Sequence, residues 1–232
     1  MSIKSLEGIV LENKTHRSDD SLLTLFTKQE GIITAFARYG QSARSRLHSL
    51  TVPLTQAEFH GTGESGQLFL INDGTVLQQH LHLRNDEQKL LAGVQMTKAV
   101  LKVLWQQQPA PAVYSLLLHY LKAMGKFPLA ETLLWSFWCK ILKHEGKFFP
   151  AFTCSACGEE FQQEVKLYQG ELLCHKHQTQ EVVPLEFEQE EIQQLIVITH
   201  GRSLKDLEQV VLSEELIKKL RELVDRVLER KI

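Results

Sequence analysis

Two thiols two residues apart, Cys154 and Cys157, are followed after residues 158–173 by Cys174, and then by His177. This is the spacing of a metal knuckle. Paired thiolates plus an imidazole form the donor set that suits zinc. The pattern constrains folding directly. The stretch from about 150 to 180 is too short to bury a core of its own, so a bound ion must supply its folding free energy. Four protein ligands fill a tetrahedral sphere and leave no position for an activated water, so the expected role is structural Zn2+ at one site. His177 is the better fourth ligand because Cys174-x-x-His177 repeats the first spacing. His175, adjacent to Cys174, is the alternative. A redox Cys-x-x-Cys is the competing reading, but it lacks a βαβ setting and leaves Cys174 without a role. Val165–Tyr168 and Glu171–Leu173, around Gln169-Gly170, read as a small hairpin that delivers Cys174.

Upstream the pattern is of strands. Glu7–Glu12, Ser21–Thr27 and Ile32–Ala37 are short β runs, and the turn Gln29-Glu30-Gly31 predicts a hairpin between the second and third. Leu50–Phe59, Leu68–Ile71 and Thr75–Leu77 continue the series, with turns at Gly61–Gly66 and Asn72-Asp73-Gly74. Five or six close-spaced strands and no helix predict a small antiparallel barrel or sandwich over residues 1–80.

The period changes near residue 86. Asp86 can cap a helix to about Gln107 whose buried face is read as Leu90, Leu91, Val94, Leu101, Leu104 and Trp105. A second helix is expected over about 111–124, ended by Gly125, and a third from Pro128 to about His144. The third is apolar nearly all round, as a helix central to a bundle is, and Cys139 within it reads as a buried hydrophobe. Further helices are expected from about Glu188 to Thr199, from the capping box Ser203/Asp206, and from Ser213 to the end. Leu216 to Leu228 on the last form a stripe expected to pack on the helices of 86–145. The class is thus α+β: a barrel over 1–80, then a helical domain over 81–232 interrupted at about 150–180 by the Cys3His zinc module.

Charge narrows the function. The net charge is −2, so any affinity for nucleic acid must come from a local patch. One is present: between Glu30 and Glu58 there is no acidic residue, and the window holds Arg38, Arg44, Arg46 and His48, with Tyr39 beside the first. Guanidinium groups follow phosphates and a ring offers a stacking face; the bland alternative is a solvated loop whose arginines pair with acids elsewhere. No Gly-x-Ser-x-Gly, phosphate loop or His-Glu-x-x-His occurs, so catalytic residues are expected to be none and the chain is not expected to be an enzyme. Residues 1–10 lack a signal peptide's apolar run and no stretch is apolar enough to span a membrane, so a reducing cytoplasm is expected.

The order barrel, helical domain, inserted knuckle resembles the bacterial recombination mediators of the RecO family. The resemblance is carried by Glu7-Gly8-Ile9-Val10-Leu11, Asp20–Lys28, Gly31–Arg38 and Ser45-Arg46-Leu47, and by Cys154-x-x-Cys157-Gly158 with Gly170-Glu171-Leu172-Leu173-Cys174. The family's knuckles usually end in a fourth Cys where this chain has His177. The resemblance implies that the barrel is an OB-fold. It also implies a non-enzymatic, nucleoid-associated DNA repair function: binding single- and double-stranded DNA, annealing complementary strands, and helping RecA onto strands coated by single-strand-binding protein (SSB), with RecR as partner. Lys14, Arg17 and Lys28 then join Arg38, Arg44 and Arg46 as expected phosphate contacts. The acidic tail of SSB would dock near some of Lys98, Lys102, Lys122, Lys126, Lys140 and Lys143. A zinc-stabilised RNA-binding or protein-interaction module is the alternative.

Overall fold

A computed structural model of the chain describes residues 3–17, 19–161, 165–168, 170–177 and 185–229. It divides into two compact units, residues 1–125 and 126–232.

In the first unit β1 (Ile3–His16), β2 (Asp20–Thr27), β3 (Gly31–Ala37), β4 (Gln56–Thr62) and β5 (Phe69–Gln78) form a closed barrel in the order β1-β2-β3-β5-β4. The predicted β2–β3 hairpin is present, in register from Ser21↔Ala37 to Thr27↔Gly31. Closure comes from a parallel pairing of β3 with β5 at Ala35, Phe36 and Ala37. Alternation fills the barrel: Leu6, Val10, Leu23, Leu25, Ile33, Ala35, Ala37, Phe59, Phe69 and Ile71 meet inside. The turn expected at Asn72-Asp73-Gly74 is instead the middle of one continuous strand. The register shifts beside it, and at Gly74 a side chain would meet the carbonyl of Glu58 at 2.6 Å. The glycine serves close backbone approach, not reversal.

Helices α1 (Glu87–Val103) and α2 (Pro111–Met124) belong to this same unit, so it runs past residue 80 to Gly125. Their anchor is the outer face of the barrel at Ile9, Phe26 and Ile32, where Phe26 meets Tyr114 of α2 edge-on at 5.5 Å and the Tyr114 hydroxyl donates to Glu7 at 3.2 Å. Asp86 caps α1 as expected, accepting from the Lys89 N–H at 3.2 Å. The buried stripe of α1 is Ala92, Met96, Ala99, Val100 and Val103, whereas Leu91 and Trp105 are exposed at 52% and 66%. Small residues decided the face. Gly93 lets α1 approach so closely that an added Cβ would lie 3.3 Å from both Leu121 and Leu83.

The second unit is not all helical. It contains α3 (Ala130–His144), a three-stranded sheet of β6 (Val165–Tyr168), β7 (Glu171–Cys174) and β8 (Leu185–Phe187), then α4 (Gln189–His200), α5 (Leu204–Glu208) and α6 (Glu214–Glu229). The hairpin is as expected, though Gln169 lies outside the described residues. β8 on the other side of β6 was not foreseen, because three residues carry too little alternation. Helix α3 is buried nearly all round and sends Thr132 and Ser136 hydroxyls to the carbonyls of Val210 and Ile198, at 2.9 and 2.6 Å. Burial pushes the Cys139 thiol up to about 12, so it is an inert core group. The predicted Ser203/Asp206 capping box is present, and α6 lays Leu216, Leu220 and Leu223 inward, with contacts to α3.

Two stability tests follow from the first unit. At Gly31 φ is +72° and an added Cβ would lie 2.2 Å from the Gln108 carbonyl oxygen. Gly31→Ala is expected to cost at least about 2 kcal/mol in urea unfolding, from strain and clash together. His80 is buried, with neither ring nitrogen hydrogen-bonded, and burial followed by the nearby His82 lowers its pKa from 6.5 to about 4. A depressed folded value means that only the unfolded chain takes up the proton in this window, so stability is full above 6.5 and declines as pH falls from 6.5 to about 4. Unfolding free energies across that range should lose this part of their slope in His80→Leu.

Candidate metal centre and nucleic-acid interface

The knuckle residues converge as their spacing predicts. The ligand atoms of Cys154, Cys157, Cys174 and His177 all lie within 4.8 Å of one another. The Cys157 and Cys174 sulfurs are 4.0 Å apart, and His177 Nδ1 lies 3.2 Å from the Cys174 sulfur and 3.8 Å from that of Cys154. A tetrahedral ion with bonds of about 2.3 Å to sulfur and about 2.0 Å to nitrogen sets ligand separations of about 3.5–3.8 Å. The four atoms therefore fit a single metal ion, and all three cysteines are free thiols. His177 completes the group that could hold an ion; His175 does not join it.

Local backbone builds the site. Gly158 takes φ +73° and donates its N–H to the Cys154 carbonyl at 2.8 Å, closing the first turn, while Thr153 and Glu160 pair across it. The end of β7 supplies Cys174, whose N–H points at the Cys154 sulfur at 3.4 Å, and the 3-10 turn 175–177 returns His177. Burial opposes ionisation at Cys154, but the backbone N–H groups of Cys174, Cys157 and Ala156 outweigh it and bring the thiol down to about 6, preorganising a thiolate.

The six predicted phosphate contacts do not form one patch. Lys14 lies in register with Leu22 and through it with Phe36, and His16 lies opposite Asp20. Arg17 sits in the β1–β2 turn and Arg38 just past β3, so Lys14, Arg17 and Arg38 gather at one end of the outer face of β1–β3. Lys28 is in the β2–β3 turn at the opposite end, the length of β2 away, about 25 Å at about 3.3 Å per residue. Arg44 and Arg46 are exposed on the β3–β4 connection, and Arg46 lies 4.0 Å from Asp73, an exposed pair of little strength. That connection is a fixed segment. Leu47 and Leu50 plug the barrel core, and Thr51 and His48 bond to the Gly40 carbonyl at 2.9 and 3.2 Å. Of the lysines considered for an acidic tail, Lys98, Lys102 and Lys122 are in the first unit. Lys126 is in the second, as are Lys140, bonded to the Gly201 carbonyl at 2.6 Å, and Lys143, 2.7 Å from His200 Nδ1.

Two residues on this face were missed. Phe36 points outward, and His16 meets it edge-on at 6.0 Å. The signal was present in Ala35-Phe36-Ala37: small residues fill the narrow interior and leave the ring outside.

The comparisons agree with this architecture. The model of the recombination protein O N-terminal region matches residues 1–80, and that of its C-terminal region matches residues 84–232. The chain belongs to the RecO family. Relatives include the DNA repair protein RecO of Chlamydia pneumoniae, 28% identical over 200 residues, covering 86% of this chain and 78% of the relative. That of Chlamydia muridarum is 26% identical over 203 residues, 87% and 86% of the two chains. The RecO of Thermodesulfovibrio yellowstonii is 24% identical over 222 residues, 93% and 88%. Among the described residues no helix is long and apolar enough to cross a membrane.

The ligand set is directly testable. The purified protein should carry one metal ion per chain by elemental mass spectrometry. His177→Ala should lower metal affinity about tenfold or more while His175→Ala retains the ion, and Cys174→Ala should lower the melting temperature by about 5 °C or more.

Proposed function

We propose that this protein is a DNA repair and recombination mediator that binds single-stranded DNA through the open end of its barrel. The observation that carries the reading is the uneven cover of the outer face of β1–β3. At Ile9, Phe26 and Ile32 it is closed by α1 and α2, whereas around Lys14, Phe36 and Arg38 it is open, partly apolar and basic. The strand order 1-2-3-5-4 with a parallel β3–β5 closure supports an OB-type barrel, whose strand 2–3 face and adjoining loops take oligonucleotides in other proteins. Membership in the RecO family supports the DNA repair setting.

In this reading phosphates are held by Arg38, Lys14 and Arg17 at the open end, with Arg44 and Arg46 extending the contact over the β3–β4 connection. Such contacts are independent of sequence, as annealing of arbitrary complementary strands requires. The fuller proposed role is annealing, and loading of RecA on SSB-coated strands together with RecR, in the cytoplasm and at the nucleoid. It is non-enzymatic. The four-ligand centre would hold a structural zinc, which supplies folding free energy to the second unit and no reactive water.

The test is a salt titration of single-strand affinity. Replacing Arg38, Arg44 and Arg46 together by Ala should weaken binding at least about tenfold and flatten the plot of log affinity against log salt by about two units, at about 0.7 per phosphate contact. Lys28→Ala should leave both unchanged. An unchanged slope in the triple variant, with fold and metal content retained, would place the phosphate contacts elsewhere. Tighter binding to RNA than to DNA of one sequence would move the substrate class.

A further inference from the structure

The three knuckle thiols are not equally placed. Cys154 and Cys174 are buried, at 1% and 9% exposure, whereas Cys157 is exposed on its turn. The space beside it is open as well. Gly158 follows it, and a Cβ built there would meet nothing within 4 Å. A second thiol is within reach: the Cys174 sulfur, at the end of β7, is 4.0 Å from that of Cys157. Cys174 is fixed in place. β7 pairs with β6 as far as Val165↔Cys174, and the Cys174 N–H points at the Cys154 sulfur at 3.4 Å. One accessible sulfur with a second held close to it is the arrangement of a reversibly oxidised thiol pair.

The surroundings select the oxidant. Glu159 and Glu160 follow on the exposed part of the same turn, and Lys176, 3.4 Å from Glu159, offsets only one of them. A bulky anionic oxidant such as glutathione disulfide meets carboxylates there, and a small neutral peroxide does not. The fourth donor decides the outcome. His177 stands where a fourth thiol would leave a second pair, so joining Cys157 to Cys174 leaves only Cys154 and His177. Two donors are half of a tetrahedral set, and oxidation of this one pair forfeits the ion.

We propose that Cys157 is a modification site for hydrogen peroxide, and that Cys174 closes the oxidised sulfur into a disulfide and so disables the metal group. This rests on the reading of Cys154, Cys157, Cys174 and His177 as one metal centre. In the first step the Cys157 sulfur attacks a peroxide oxygen. An S–O bond forms, the O–O bond breaks and hydroxide leaves, so the sulfur is oxidised by two electrons and the peroxide is reduced. In the second step the Cys174 sulfur attacks that of Cys157. The S–S bond forms, the S–O bond breaks and a second hydroxide leaves. Each hydroxide takes up a proton, so two thiols and one peroxide give one disulfide and two waters. A dithiol reductant reverses the change. Cys139 takes no part, being 1% exposed within α3.

The test treats full-length, zinc-loaded protein with hydrogen peroxide. Released ion is followed with a chelating dye, and the thiols by differential alkylation and peptide mass mapping. Two of the four thiols should be lost, the disulfide should map to Cys157 and Cys174, and the ion should leave with it. Dithiothreitol and fresh zinc should restore the starting state. Glutathione disulfide at equal concentration should act at least about tenfold more slowly. Cys157→His, which keeps four donors, should release its ion at least about tenfold more slowly in peroxide than the wild type. Wild-type protein that keeps its ion in peroxide, or loses it through a disulfide that omits Cys157 or Cys174, would overturn the modification site and leave the metal reading standing. An equal rate with glutathione disulfide would overturn the choice of oxidant. Reduced wild-type protein that takes up no zinc would overturn the metal reading and the modification site with it.

Discussion

Closure of the barrel rests on three residues. β3 and β5 pair in parallel only at Ala35, Phe36 and Ala37, and much of the first unit is arranged around how short that seam is. Because β5 stands between β3 and β4 in the sheet, the long β3–β4 connection must span one mouth of the barrel, which it plugs with Leu47 and Leu50. Because the seam stops at Ala35, the start of β3 is left with an unpaired edge, and unpaired strand edges are always covered, charged or bent. Here the segment following α1 covers it. That requirement draws α1 and α2 onto the barrel through Ile9, Phe26 and Ile32, and in doing so determines which part of the outer face remains open.

What could be read from the chain followed the strength of each local signal. The knuckle was legible to the residue, because metal coordination allows few spacings and each ligand type is scarce. The three-residue repeat favoured His177 over His175 without deciding between them, and the coordinates gather His177 with the three cysteines. Helix α2 was legible at both ends because Pro111 and Gly125 mark them. The buried face of α1 was not. Leucines were weighted by size, but close packing against α2 chose the small side, Ala92, Gly93, Met96 and Ala99. Gly74 misled in the same way, since a glycine that permits close approach looks in sequence like a glycine that turns. Among the basic residues, composition alone could not separate Lys28 from Arg38. The two differ only in which end of a strand they occupy, and that is a property of register.

The two chemically distinctive regions divide labour. The Cys3His group brings together the turn at 153–160, the end of β7 and the turn at 175–177, three separate pieces of chain. The Cys154 thiolate is preorganised by backbone N–H groups from these same turns, so a bound ion and the backbone would support each other. The open barrel face, by contrast, carries ordinary groups: Phe36, His16, Tyr39 under the Arg38 guanidinium, Lys14 and Arg17. Its distinctiveness is positional, from being the part of a closed sheet that the helices leave bare.

The covered edge of β3 has a consequence for the order in which the chain is made. The residues that pair with Ile32 are Gln106 and Gln107, which leave the ribosome well after the strand itself and after every other strand of the barrel. Until then the nascent barrel has all five strands but carries an open edge and a bare apolar strip at Ile9, Phe26 and Ile32, the combination most prone to pairing with another chain. The family-level boundary near residue 80 therefore differs from the boundary of the compact unit at Gly125. Cutting there would release a barrel whose seam is closed but whose flank is not, and vectorial synthesis passes through that same exposed state each time the protein is made.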